Sequence, residues 1–498
     1  MVGLMETREQ EQSLMAPVSQ TAPQPQLQTS DQAIGMPRVA IIGGGLAGLA
    51  AAAALAERGG VVTLFEAKQK LGGRAGSFVD PESGETIDHC QHVTMGCCTN
   101  FGHFCRRTGI DQLLARHEVL HFFGPDAKRS DFAASKWLPP PLHLAPAFLR
   151  LKYLSWRDKW CIARGTLQLM RARPQLGNAD EPTIGKWLVQ AQQTEVAIDL
   201  YWKVVLESAL GETLDRASFS SARKVFVDGF LGHREACTVF TPSVTLHELY
   251  DIRVADWLIN HRVDLRRGQA IAGLEFSEGS VQAVRLASGE ELPFDEVILA
   301  LPWTRVGAIL PDEIRREIPG LETMVAQTAS APIMAVHLWF DRPILSLPHA
   351  VLIGRLSQWV FARPGGAGEH YYQVVISGCH ELVGEPRAAT LLRVLLELAE
   401  VWPAVNDAKL LRSRLVCDPN AVFSPRPGLD DLRPTQTTPI PNLFLAGDWT
   451  DTGWPATMEG AVRSGYLAAE GVLRRWGSPE HLLVPDLPRQ GLSRWLVR

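Results

Sequence analysis

The chain has no Cys-x-x-Cys pair. Its eight cysteines stand at 90, 97, 98, 105, 161, 237, 379 and 417. That scatter indicates neither a zinc ribbon nor a thioredoxin-type motif, and no bound metal is expected. In a chain of 498 residues such thiols are expected to be reduced, as in an intracellular protein. An excess of positive charge is also missing: the formal net charge is -5, so the chain as a whole offers no electrostatic footprint for nucleic acid. Long apolar runs are scarce. Val39 to Ala56 is a stretch of 18 uncharged residues, long enough to suggest a membrane span. Gly43, Gly44, Gly45 and Gly48 interrupt it, so a strand, a tight turn and a helix explain it better, and no transmembrane helix is expected. Residues 1–36 carry seven Gln and no apolar core of a secretory leader. They are expected to form a disordered tail, with Met36 a candidate start and a cytoplasmic location.

What is present begins with Val39-Ala40-Ile41-Ile42, an apolar run suited to a buried parallel strand. Gly43-Gly44-Gly45-Leu46-Ala47-Gly48 follows and fits G-x-G-x-x-G. Leu49 to Arg58 reads as a helix stopped by Gly59-Gly60, and Val61 to Phe65 as a second strand ending on Glu66. Gly43 permits the tight turn, Gly45 lets backbone approach a pyrophosphate, and Gly48 lets the helix pack closely on the strand. The helix start at Leu46 and Ala47 offers N–H groups to phosphate oxygens. Glu66, 18 residues past Gly48, can accept bonds from ribose hydroxyls. This arrangement predicts a bound dinucleotide without separating FAD from NAD.

Two further segments point to FAD. In Leu71-Gly72-Gly73-Arg74, the glycines let backbone approach a ligand and Arg74 can neutralise a diphosphate. Near the other chain end, Asn442 to Asp448 reads as a strand finishing in Gly447-Asp448, and Thr457-Met458 opens a helix. Asp448 can hold the ribityl or phosphate region, and the helix start can face flavin O2 and N1, where negative charge develops on reduction. One ligand reaching both chain ends must be long, which FAD is.

Together these motifs, with Glu459-Gly460-Ala461 and Ser464-Gly465, resemble the flavin amine oxidase and phytoene desaturase superfamily over nearly all of residues 37–476. The resemblance implies an α/β fold: a discontinuous Rossmann-like FAD-binding domain of the glutathione-reductase type, with an α+β substrate domain. The implied division is a tail at 1–36, FAD-binding parts at 37–95, 236–310 and 431–476, substrate-domain parts at 96–235 (mostly helical) and 311–430, and a C-terminal tail at 477–498. Within the middle FAD part, Val263-Asp264-Leu265 begins one strand and Glu296 to Leu301 forms another. The first lines the adenine in the superfamily, through Gln269 or Ala270.

Several segments further resemble the hydroxysqualene dehydroxylase branch: Asp88-His89-Cys90-Gln91-His92, Asn100 to Gly109, Leu246 to Tyr250, His337 to Asp341 and Gly453 to Glu459. His89-Cys90 departs from the small polar residue and Gly expected there. The branch implies an apolar isoprenoid substrate and a reductive reaction: an allylic hydroxyl leaves and reduced flavin returns hydride. Asp88 and His92 are the candidate proton donors, each with a purely structural alternative. A carotenoid desaturase would run the hydride the other way. Amine oxidases of the superfamily resemble one another in a lysine near flavin N5, and here no Lys occurs between 225 and 408. A flavin-free prenyl-binding escort protein shares the fold but would not need the Gly447-Asp448 and Thr457-Met458 segments.

Residues 136–173 hold eight cations (Lys136, Arg150, Lys152, Arg157, Lys159, Arg164, Arg171, Arg173) against Asp158 alone. Leu149, Tyr153, Trp156, Trp160, Ala163, Leu167 and Met170 recur at helical spacing beside them. Such a stripe suits a helix lying on an anionic membrane surface, or equally an ordinary helix packing its stripe inward.

Overall fold

The computed structural model describes residues 37–173, 181–363, 365–366 and 368–498. The expected N-terminal tail lies outside the described residues. The five strands read from the sequence form one parallel sheet. Its order is Asp264–Arg267, Val61–Glu66, Arg38–Ile42, Glu296–Leu299 and Leu443–Leu445. A strand alternates its side chains between two faces, and each strand divides accordingly. Val39, Ile41, Leu64, Ile298 and Phe444 join one core, together with the helices Leu46–Ala56 and Met458–Arg475. Ala40, Ile42, Phe65, Val297, Leu299, Leu443 and Leu445 join the other. That second core is closed by a small antiparallel sheet over 271–293 and by short helices over 303–327.

The second lobe is a seven-stranded mixed sheet. Its order is Leu410–Phe423, Ser330–Phe340, His370–Ser377, Trp359–Arg363, His349–Leu352, Val119–Phe123 and Arg129–Ala133. One face of Ser330–Phe340 packs Met334, Val336, Leu338 and Phe340 against Val394 and Leu398 of the helix Arg387–Val401. Helices between 145 and 231 form a separate apolar cluster around Trp202, Leu206 and Phe226. The α+β substrate lobe is thus as expected.

The structure moves three of the sequence-drawn boundaries. The helix Thr99–Thr108, placed in the substrate domain by a division at 95/96, buries Phe101, Phe104 and Cys105 in the core of the parallel sheet. Conversely Val239–Pro242, assigned to the FAD part at 236–310, pairs with 94–95 and 114–117 in a bridging sheet. Residues 477–498 are not a free tail. Leu482 and Leu483 donate backbone N–H bonds to Glu470, Val484 does so to Asn100, and Val497 is buried among the substrate-side helices.

The single helix expected through 149–170 is two helices separated by a turn. Ala145–Leu149 ends first, and Trp156–Arg171 starts at Ser155, which forms a reciprocal cap with Asp158. Its inward face is Asp158, Ile162, Gly165 and Leu169. Only part of the expected stripe faces solvent: Trp156 is 74% exposed and Trp160 72%, while Met170 is buried and Tyr153 packs against the helical cluster. Lys159, expected as a surface cation, is instead buried and donates to the Leu149 carbonyl at 2.9 Å. Among the described residues, no helix is long and apolar enough to cross a membrane.

Candidate functional site

The glycines at the first strand end are required by their surroundings. Gly43 has φ +117°, and a Cβ there would lie 2.4 Å from the Ala300 carbonyl oxygen. A Cβ on Gly48 would lie 1.9 Å from the Gly43 oxygen. Gly45 differs: its nearest neighbour to a Cβ is the Gly73 Cα at 4.0 Å. The two glycine loops therefore face each other, joined by a bridge between Gly45 and Gly72 and a 2.8 Å bond from Gly72 N–H to the Gly44 carbonyl. Gly73, at φ +62°, completes this wall. The helix beginning at Leu46 has no side-chain cap, and its first intrahelical donor is Leu49 N–H, bonded to the Gly45 carbonyl. The N–H groups of Leu46, Ala47 and Gly48 thus point into the same space. Glu66 stands behind, accepting from Gly44 N–H and Lys68 N–H at 2.8 Å each. At the adjacent strand end Gln269 N–H is bonded to the Glu66 carbonyl and the Ala270 carbonyl accepts from Ala287. Among the described residues the Ala270 N–H has no partner there.

The second cradle is brought against the first by a close helix crossing. A Cβ on Gly465 would sit 2.2 Å from the Ala47 oxygen, which explains the Ser464-Gly465 pair. Ser464 Oγ accepts the Gly447 N–H at 2.8 Å. Thr457 caps the helix Met458–Arg475 by accepting from Gly460 N–H, so the N–H groups of Met458 and Glu459 stay available among the described residues. The Glu459 carboxylate accepts from Asn100 and Phe101 N–H, tying the helix Thr99–Thr108 to the same end.

Arg74 and Asp448, assigned separately from sequence, form an ion pair, and Arg74 also donates to the Ala421 carbonyl and lies over the Trp303 ring. This pair joins the two glycine-bearing ends of the chain directly. Sequence reasoning missed Arg433. This buried guanidinium donates to the carbonyls of Asp448, Thr450 and Trp454 at 2.9, 2.6 and 2.8 Å and so fixes the loop after Gly447. A lone Arg before a Pro carries no spacing signal that would have revealed it.

The two proton-donor candidates are placed differently. Asp88, 2% exposed, accepts from Ser77 Oγ at 2.7 Å and Leu246 N–H at 2.8 Å, and from Arg363 at 3.2 Å. In each of these bonds a carboxyl oxygen of Asp88 is the acceptor. Asp88 is thus an anchor between the 77–88 hairpin, the Leu246 turn and the substrate sheet. His92 lies against the Cys90 carbonyl through Nδ1 at 3.0 Å, and burial lowers its pKa. A neutral ring that donates from Nδ1 keeps Nε2 as a lone pair. Burial likewise pushes the Cys90 thiol up to about 12. Both side chains retain accessible surface despite this depth, so they border an internal space. The neighbouring Gln91 Oε1 is buried without a partner. The donor set therefore fits FAD: free N–H groups at two helix starts, an open approach at Gly45, and carboxylates at both strand ends.

A family model described as flavin containing amine oxidoreductase matches residues 46–473. The hydroxysqualene dehydroxylase of Sinorhizobium fredii is 29% identical over 461 residues, covering 87% of this chain and 98% of that protein. The 15-cis-phytoene desaturase of Solanum lycopersicum is 26% identical, covering 88% of this chain and 77% of that one. Among solved structures, an oxidoreductase from Methanosarcina mazei superposes with a TM-score of 0.68 at 16% identity, covering 88% of this chain and all of that one.

Proposed function

This chain belongs to the flavin-containing amine oxidoreductase family, whose members are FAD-dependent oxidoreductases, and from that premise we propose that it holds FAD non-covalently and reductively removes the hydroxyl of hydroxysqualene, giving squalene. The observation that carries the cofactor reading is the pair of glycine loops facing each other at Gly45 and Gly73, with the Arg74–Asp448 ion pair joining the same loop to the C-terminal cradle. Leu46, Ala47 and Gly48 would bind pyrophosphate through backbone N–H, Glu66 the adenosine ribose, Asp448 the ribityl hydroxyls, and Thr457–Met458 the pyrimidine edge of the flavin. Reduced flavin would supply the hydride.

The substrate reading rests on similarity to hydroxysqualene dehydroxylase over almost that protein's whole length. The chain's own residues then have two tasks. They keep water and nucleophiles from an allylic cation, which the high-pKa, protonated Cys90 and the neutral His92 permit. They also tie the site together around Asp88, which positions the 77–88 hairpin through Ser77, Leu246 and Arg363. Departure of the hydroxyl as water takes up one proton, and His92, whose lowered pKa makes its protonated ring a stronger acid, is the group that would deliver it to the leaving oxygen. With no Lys between 225 and 408, amine oxidation lacks its expected water-bridging lysine. The similarity to phytoene desaturase supports a second reading, desaturation by oxidised flavin.

An apolar polyene must be delivered from a membrane. The exposed Trp156 and Trp160 with Arg150, Lys152 and Arg157 beside them suit docking of residues 136–173 on the anionic cytoplasmic face of a bilayer. Anaerobic incubation of oxidised and of reduced protein with hydroxysqualene and with phytoene tests both readings. Squalene from the reduced protein alone supports dehydroxylation, and phytoene-dependent flavin bleaching without squalene supports desaturation.

A further inference from the structure

We infer that the last ten residues, Arg489–Arg498, form a second lipid-contacting arm beside the helix Trp156–Arg171, an inference that rests on the membrane-docking reading above. The arm is firmly held. Gln490 N–H donates to the Gly232 carbonyl at 2.8 Å, Ser493 Oγ to the Leu231 carbonyl at 2.6 Å, and Ser493 N–H to the Pro140 carbonyl at 3.2 Å. The Arg498 N–H donates to the Met170 carbonyl at the end of the docking helix, and the Arg498 carbonyl accepts from the buried Arg223. Ser493 and Val497 point inward.

That anchoring fixes what points outward. Trp495 is 84% exposed and Leu492 44%. The turn that the arm packs on, where a Cβ on Gly491 would meet Pro139 at 2.6 Å, carries Trp137 at 93% exposure and Leu142 at 45%. A rigid backbone presenting isolated tryptophans to water has no reason in the packing of this chain. Indole rings are favoured where one edge meets polar headgroups and the body meets hydrocarbon. Arg494 donates through Nε to the Arg489 carbonyl, and Arg489 to the Val497 carbonyl. Among the described residues, no carboxylate pairs with Arg489, Arg494 or Arg498.

The charge selects the occupant. A second copy of this chain docked by two-fold symmetry would set the same arginines against one another. A bilayer bearing anionic headgroups answers both the indoles and the cations.

The test is sedimentation of the FAD-loaded full chain with phosphatidylglycerol–phosphatidylcholine vesicles. The paired variant Leu492→Ser with Trp495→Ser, and separately Arg494→Glu, should each weaken vesicle affinity by roughly tenfold. Flavin absorbance and melting temperature should stay those of the parent. Brominated lipid should quench less fluorescence in the Trp495→Ser chain than in the parent. If the parent sediments, and Trp156→Ser with Trp160→Ser releases it while both arm variants bind like the parent, the arm is wrong and the helix stands. If the parent fails to sediment, the membrane reading itself fails and the arm with it. If the arm variants lose only a concentration-dependent dimer, the surface is a self-association site and the inference is overturned.

Discussion

The glycine cradle at residues 43–48 and the basic segment at 136–173 were both conspicuous in the sequence, for opposite physical reasons. In the cradle Gly43 and Gly48, with Gly465 on the crossing helix, are demanded by their neighbours, since a Cβ on any of them would lie between 1.9 and 2.4 Å from a backbone oxygen, whereas Gly45 is not. In the basic segment the protein engages Trp156 only through the Lys159 ammonium over its ring and leaves Trp160 to solvent, since the helix is seated by Ile162, Gly165 and Leu169 on another face. A residue forced by its own fold and a residue left unexplained by it are both informative, the first about architecture and the second about an outside partner.

The sharpest way to break the cradle side of this comparison is to separate its glycines. Gly48→Val should cost more than about 4 kcal/mol and leave little folded protein, because backbone atoms must move. Gly45→Val, whose Cβ would meet only the Gly73 Cα at an ordinary 4.0 Å, should fold with a cooperative melt and carry no flavin absorbance. Equal stability losses in the two variants would show that Gly45 is structural as well.

Acid should spare the glycine cradle and act on the substrate lobe, including the basic segment through His143. Burial lowers the pKa of His143, His337 and His349 to about 4. Their folded values lie below the unfolded value of about 6.5. The unfolded chain therefore binds more protons as pH falls. Stability is full above about 6.5 and declines towards about pH 4, by up to about 3 kcal/mol per histidine. Chemical denaturation at stepped pH measures this, and His349→Leu should flatten part of the slope. A slope that His349→Leu leaves unchanged would remove that residue from the account.

How much was legible follows the same division. The five parallel strands could be read because buried strands are short, apolar and bounded by glycine or by acid, as at Val39–Gly43 and Val61–Glu66. The expected helix through 149–170 was drawn too long because Tyr153 and Leu149 happen to continue the spacing. Ser155, with Asp158 three residues on, was the capping signal that marks the true start. The division at 95/96 failed because side-chain burial, not periodicity, assigns Thr99–Thr108 to the parallel-sheet core. Arg433, Arg363 and the packed 477–498 segment act through contacts far apart in sequence, which no local pattern encodes. Asp88 was visible as a candidate, but its role as an anchor depends on Ser77, Leu246 and Arg363, which only the fold brings together.

Two smaller effects sharpen the comparison. Asp448→Ala should weaken FAD binding by about 1–3 kcal/mol by removing a hydroxyl acceptor and releasing Arg74. Equilibrium titration of apoprotein with FAD measures it, and unchanged affinity would place the ribityl chain elsewhere. Trp156→Ser with Trp160→Ser should shift stability by no more than about 0.5 kcal/mol, since both rings face solvent. A large loss on denaturant titration would mean that the stripe packs inward in solution.

The central claim is the direction of electron flow, and single-turnover reoxidation tests it most directly. Protein with its flavin reduced under anaerobic conditions is mixed with hydroxysqualene, and flavin absorbance and squalene are followed together. Dehydroxylation predicts that one oxidised flavin appears for each squalene formed, and that phytoene gives no change with the oxidised protein. Reduced flavin that persists in the presence of hydroxysqualene, while phytoene bleaches the oxidised form, would contradict it.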